Sequence, residues 1–220
     1  MTNDPDPHPV FDKERYTLFR SILGKVSHIA NFTHPDISTA VSLVSKKMAN
    51  PSQQDLLNVW DMLWYLYGTV NNAHAMFTIT YNSHFSPTSK SRQHPVHICC
   101  DADLSNDAET RRSRTGYSSY LFGNLVGWCS RRQASVSLST AESEYMAISA
   151  SAQFGKWYKG LVGDMGLEMA IYEPIVILTD SRSAQHIANS PIIQVNKYSR
   201  HISQRVHWFR ALIMDSTLRV

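Results

Sequence analysis

Two short runs constrain this chain more than anything else in it: VHICCD at Val96–Asp101 and PIVILTD at Pro174–Asp180. In the second, Ile175–Leu178 is wholly apolar, the pattern of a strand buried on both faces, and such a strand needs helices packed over its sheet. In the first, Val96, Ile98 and Cys100 alternate with His97, Cys99 and Asp101, the period of two that marks a strand. Each run ends on an aspartate. Tyr117–Phe122 and Leu125–Ser130 read as two more strands joined at Gly123-Asn124, a hairpin signal. Thr140 is a plausible cap for a long helix to about Leu161, and helices are also expected over Ser181–Asn189 and, basic in character, Tyr198–Met214. The order predicts an α/β fold over residues 96–220, a mixed sheet with flanking helices.

Upstream, the periodicity is helical. Leu18, Ile22, Val26 and Ile29 recur at three- and four-residue steps from Tyr16 to about Ala30. Pro35 opens a second helix through Met48, with Val41, Leu43, Val44 and Met48 inward, and Asn50-Pro51 closes it. Ser52 caps a third, whose stripe of Leu56, Val59, Trp60, Leu63 and Leu66 runs to Gly68. Residues 1–15 are read as a flexible lead-in, 16–81 as a small helical module and 82–95, rich in serine and proline, as a linker. The module's acids, Asp36, Asp55 and Asp61, are scattered, so it is expected to pack rather than to catalyse.

With 43% hydrophobic and 18% charged residues the chain is globular rather than disordered. No apolar run approaches a membrane span, and MTNDPDPHPVFDKER lacks the apolar stretch of a signal peptide. Cys99, Cys100 and Cys129 are odd in number with two adjacent, which fits a reducing compartment, so the expectation is an intracellular protein, cytoplasmic or nuclear, with no membrane partner. His94, His97, Cys99 and Cys100 do not have zinc spacing. Trp60, Trp64, Trp128 and Trp157 lie within regular runs and are expected in the core.

The net charge of +3 conceals an uneven distribution. Arg111, Arg112, Arg114, Arg131 and Arg132 fall in 110–132, a stretch without an acid, and Arg200, His201, Arg205 and Arg210 crowd the last helix. Basic strips beside strand ends suit a phosphate backbone, although a single basic face is commonly no more than solvated surface. At the strand ends themselves, ligands of open α/β sheets collect outside the carboxyl termini, where Asp101 and Asp180 lie. Glu142 and Glu144 are about 200° apart around their helix, so only one can face the sheet. Three converging carboxylates repel unless a cation joins them, and an all-oxygen set favours Mg²⁺ or Mn²⁺. An aspartate at a strand end equally serves as a turn or helix cap, so position alone leaves both readings open.

Several segments taken together resemble a known family. CCDADLSNDAETRRSRTGY, GWCSRRQASVSLSTAESEYMAIS, ILTDSRSAQHIANSP and RHISQRVHWFR are similar, in order and spacing, to the ribonuclease H domain at the end of copia-type retrotransposon Pol polyproteins. YTLFRSILGKVSHIANFTHPDI, AVSLVSKKM and LWYLYGT are similar to the end of the reverse transcriptase that precedes it. The resemblance implies a ribonuclease H-like fold and metal-dependent hydrolysis of the RNA strand of RNA–DNA hybrids, with Mg²⁺ or Mn²⁺ as cofactor and the rest of a polyprotein as a partner. It implies that Asp101 bridges two metals, that Glu144 binds one beside the RNA strand and that Asp180 is the third ligand, with Glu142 facing away and Asp103 a supporting or turn residue. Arg111, Arg112, Arg114, Arg131, Arg132, Arg200, His201 and Arg205 would contact the nucleic acid.

The sequence also departs from the family. A fourth aspartate is expected in a downstream ADxxTK motif, whereas the only acid after RHIS is Asp215, too early for it, and Ser203 stands where aspartate is usual. The site of the water-activating metal is then expected to be incomplete. A catalytically inactive nucleic-acid-binding fragment is the alternative reading. The polymerase YxDD signature is absent, so polymerisation is not expected, and an integrase-type site would need a glutamate after Glu173, which the sequence lacks.

Overall fold

The computed structural model describes residues 12–70, 94–105, 107, 109–166, 174–189 and 208–220. The chain divides into two compact units, Met1–Thr78 and Ile79–Val220.

In the first unit α1 (Lys13–Phe32) begins inside the stretch read as a lead-in, because Asp12 caps it by accepting the Arg15 backbone N–H at 2.7 Å. Its buried face is Phe19, Ile22, Leu23, Val26 and Ala30. Leu18, expected inward, is 45% exposed: the apolar arc is wider than one stripe, and the larger Phe19 ring takes the interior. The single helix expected after Pro35 is a 3₁₀ turn (Pro35–Ile37) followed by α2 (Ser38–Ser45), with i to i+3 bonds from Lys47 and Met48 tightening its exit. In α3 (Gln53–Val70) Ser52 and Asp55 form a reciprocal cap, the Ser52 hydroxyl accepting the Asp55 N–H and the Asp55 carboxylate accepting the Ser52 N–H. Leu56, Val59, Met62 and Leu66 close one core with α1 and α2. The tryptophans correct the sequence reading, since Trp60 and Trp64 are 41% and 68% exposed, on the flank beside that buried stripe.

The second unit is a mixed α/β layer structure: a five-stranded sheet in the order β3-β2-β1-β4-β5 with helices packed on it. The strands are β1 (Val96–Asp103), β2 (Arg114–Leu121), β3 (Asn124–Arg132), β4 (Ile175–Leu178) and β5 (Leu218–Arg219), and the helices are α4 (Thr140–Asp164), α5 (Arg182–Asn189) and a helical stretch at 208–214. β2 runs antiparallel to both β1 and β3, whereas β4 lies parallel to β1 and β5 parallel to β4. This is the mixed sheet with flanking helices that the order of elements in the sequence predicts. The β1 alternation holds, with Val96, Ile98, Cys100 and Ala102 buried.

Three details differ from the sequence reading. The hairpin turns at Phe122-Gly123, one residue early, with φ of +50° and +82°, and the Asn124 amide reaches back to the Leu121 and Phe122 carbonyls. Trp157, on α4, is 59% exposed rather than in the core. β5, two residues long, has no periodicity to announce it. Of the basic helix expected over Tyr198–Met214, residues 198–207 lie outside the described residues, and 208–214 is helical.

The core joins Ile98, Tyr145, Ile148, Ala152, Ile175, Ile177, Ala184, Phe209, Leu212 and Leu218. Gly155 lets α4 lie directly on the sheet, because a Cβ there would sit 3.2 Å from the Ile98 side chain and 3.4 Å from that of Leu218. Among the described residues no helix is long and apolar enough to cross a membrane.

Candidate metal centre and nucleic-acid face

The parallel pairing of β1 with β4 puts Cys99 opposite Leu178, so that Asp101, still paired with Gly116 of β2, and Asp180, just past the end of β4, lie side by side at the same end of the sheet. α4 starts over that end. Ser139 caps it, one residue before the Thr140 expected, by accepting the Glu142 N–H, and the Glu142 carboxylate accepts the Leu138 N–H at 2.8 Å. Glu142 is therefore buried, holds the helix start and stands outside the group of acids at the strand ends. Glu144, two residues on, faces the strand ends.

Asp101, Glu144 and Asp180 each place a carboxylate oxygen within 4.8 Å of the others, so the structure brings together the three acids that the sequence singled out. Asp101 and Asp180 are exposed, and Glu144 is 5% exposed. Oε2 of Glu144 is buried without a hydrogen-bond partner. Burial first, then the Asp101 and Asp180 charges, push the Glu144 carboxyl up to about 7 from an ordinary 4.5, against a backbone hydrogen bond at Ala102 that lowers it. An all-oxygen donor set with one buried, unpaired oxygen fits a hard divalent cation, which would relieve both the repulsion and the orphaned atom. Asp103 is exposed and stands outside the trio. Asp215 is in a turn, where its carboxylate accepts the Thr217 N–H at 2.9 Å.

The arginines divide. Arg114 is buried, with Nη1 3.5 Å from the Ser130 hydroxyl, and Arg132 pairs with the buried Asp107 carboxylate at 3.0 Å. Arg111 and Arg112 sit in the connection from β1 to β2, just past the metal-site strand end. Arg131, exposed, lines a cavity of about 240 Å³ with Gln133, Ser149 and Gln153. Arg200, His201 and Arg205 lie outside the described residues.

Two residues that matter to the site escaped the sequence reading. Gln133 is buried and fully engaged: its amide donates to the Thr115 hydroxyl and the Ser143 carbonyl, and its oxygen accepts from Ser137. It thus ties the start of α4, one residue from Glu144, to the sheet. Asp107 similarly anchors the connection between β1 and β2. A polar residue at a strand end carries no periodicity that would distinguish it from a solvated one.

No family model matches the chain. The retrovirus-related Pol polyprotein from transposon TNT 1-94 of Nicotiana tabacum is 30% identical over 92% of this chain and 14% of its own length. That from transposon RE1 of Arabidopsis thaliana is 29% identical over 93% of the chain and 13% of its own length. A secreted RxLR effector protein 161 of Plasmopara viticola is 31% identical over 63% of the chain and 89% of its own length. A solved foamy viral protease-reverse transcriptase in complex with dsDNA is similar over 94% of this chain and 37% of that one, at 13% identity and a TM-score of 0.48. The chain is a homologue, over nine-tenths of its residues, of the retrovirus-related Pol polyproteins of plant transposons, of whose length it spans 13–14%.

Proposed function

We propose that the second unit is the ribonuclease H part of a transposon polyprotein and hydrolyses the RNA strand of RNA–DNA hybrids with Mg²⁺ or Mn²⁺. The observation that carries the reading is the convergence of Asp101, Glu144 and Asp180 with one buried oxygen of Glu144 left unpaired. Phosphodiester cleavage by water needs charge neutralised on the phosphate and a water acidic enough to give up its proton to solvent, and a divalent cation held by carboxylates would supply the first and promote the second. The chain's own residues do the holding. Glu144, fixed by the capped start of α4 and by the Gln133 clamp, contributes the rigid ligand, and Asp101 and Asp180 contribute ligands from adjacent parallel strand ends. Arg111, Arg112 and Arg131 supply positive charge for the backbone phosphates, and the A-form shape and 2′-hydroxyls of a hybrid are what such a face can read.

A second reading, nucleic-acid binding without cleavage, draws on Asp215. Its carboxylate is engaged by its own turn, and among the described residues the acidic group numbers three. A cleavage assay on a hybrid with labelled RNA, in Mg²⁺ and in Mn²⁺, separates the two. Hydrolysis by the wild type that disappears in Asp101→Asn supports the enzyme. Cleavage that survives the substitution refutes the site, and salt-dependent binding by both proteins without cleavage favours the binding module.

A further inference from the structure

The connection between β1 and β2 is built around one buried carboxylate. Asp107 is 4% exposed although it lies between two strands at the metal-site end of the sheet. Its Oδ1 accepts the backbone N–H groups of Glu109 and Thr110, both at 3.2 Å, and its Oδ2 lies 3.0 Å from Nη1 of Arg132 on β3. Its carbonyl accepts the Arg111 N–H at 2.7 Å, and its own N–H donates to the Arg112 carbonyl at 3.2 Å. The Ser105 N–H donates to the Ser113 hydroxyl at 3.2 Å, closing the neck of the connection.

These bonds fold the chain back so that two successive arginines stand at its return. Arg111 takes a left-handed backbone, φ +54°, which a non-glycine residue adopts only when its surroundings fix it. Arg111 is exposed and Arg112 half-buried. Free chain would leave both arginines with many orientations, and each phosphate contact would then carry the entropy of ordering them. We infer that Asp107 is a positioning residue that presents Arg111 and Arg112 as a paired contact for backbone phosphates of a bound nucleic acid, next to the strand end that carries Asp101. The inference deepens the nucleic-acid reading above and rests on it.

The test is a mutant cycle on the full chain, with binding of a labelled RNA–DNA hybrid measured in EDTA across a salt series. Arg111→Gln combined with Arg112→Gln is expected to flatten the log–log salt slope by about 0.9 for each phosphate that the protein no longer neutralises. Asp107→Ala is expected to weaken binding about fivefold, the equivalent of one net hydrogen bond. In the double-glutamine background the same Asp107→Ala change is expected to have almost no effect. Asp107→Asn, which retains an acceptor for Glu109 and Thr110, is expected to recover part of the affinity. A purely structural Asp107 would weaken binding equally in both backgrounds, and that additive result overturns the inference, as does full affinity in Asp107→Ala. Hydrogen exchange in β1 and α4 reports whether each variant keeps its fold, and if Asp107→Ala does not, Asp107→Asn carries the cycle. A wild-type chain that binds neither hybrid nor duplex at low salt overturns the nucleic-acid reading and this inference with it, whereas binding with additive effects overturns this inference alone.

Discussion

Replacing Glu144 by glutamine should stabilise the metal-free protein above neutral pH and leave it unchanged in acid. The carboxyl is raised to about 7 from an ordinary 4.5, by burial first and by Asp101 and Asp180 second. A carboxyl whose folded pKa is raised binds its proton more tightly when folded, so the protein loses stability as pH climbs from about 4.5 to about 7 and levels off above that. A shift of that size corresponds to about 3 kcal/mol at most. The open side of the site, where Asp101 and Asp180 meet solvent, screens it to ~1–2 kcal/mol. Glutamine keeps the shape and removes the charge. Unfolding in denaturant at pH 5 and at pH 8, in EDTA, should therefore show little difference between wild type and Glu144→Gln at the lower pH and a gain of ~1–2 kcal/mol for the variant at the higher. Mn²⁺ at pH 8 should reverse the order, because it binds the folded wild type and stabilises it by mass action. A variant no more stable than wild type at pH 8 would refute the picture of an uncompensated carboxylate cluster.

Three further outcomes follow from the packing. Gln133→Ala strands the Thr115 hydroxyl, the Ser143 carbonyl and the Ser137 hydroxyl in the interior, and denaturant unfolding should register a loss of roughly 1–3 kcal/mol together with weaker Mn²⁺ binding. Gly155→Val drives a branched side chain into Ile98, Leu218 and Ile175, and a thermal melt should fall by the amount that corresponds to about 1–3 kcal/mol of overpacking. Ser139→Ala removes the N-cap of α4, and should cost about 1 kcal/mol and raise amide exchange in the first turn of that helix.

How much of this was legible in the sequence differs from residue to residue, for physical reasons. The period of two in β1 and the apolar run of β4 located both strand-end aspartates, because burial on a sheet leaves a repeating trace. Of the two acids in the TAESEY segment Glu144 is the one that meets Asp101 and Asp180, yet nothing in the spacing told that Glu142 would turn back to cap its own helix. Helix phase was read less well: Leu18 and Phe19 are both apolar, and only packing against α2 and α3 decides which goes inside. The tryptophans failed for a related reason, since membership in a regular run does not say which side of the helix a residue is on, and Trp64 and Trp157 are exposed. Phe122 displaced the hairpin turn by one because a bulky residue at positive φ runs against propensity and is imposed by strand register. Asp107 and Gln133 were invisible, since each gains its importance from partners far away in sequence.

If Asp101, Glu144 and Asp180 act as one cation site, a single ion reaches all three carboxylates at once. Titrating Mn²⁺ into ¹⁵N-labelled protein and following paramagnetic broadening of the backbone amides tests that most directly. Broadening should begin at Asp101, Ala102, Glu144 and Asp180 at the lowest Mn²⁺ concentrations and vanish from all of them together in Asp101→Asn. Broadening that starts at other acids, or that persists unchanged around Glu144 and Asp180 in that variant, would contradict it.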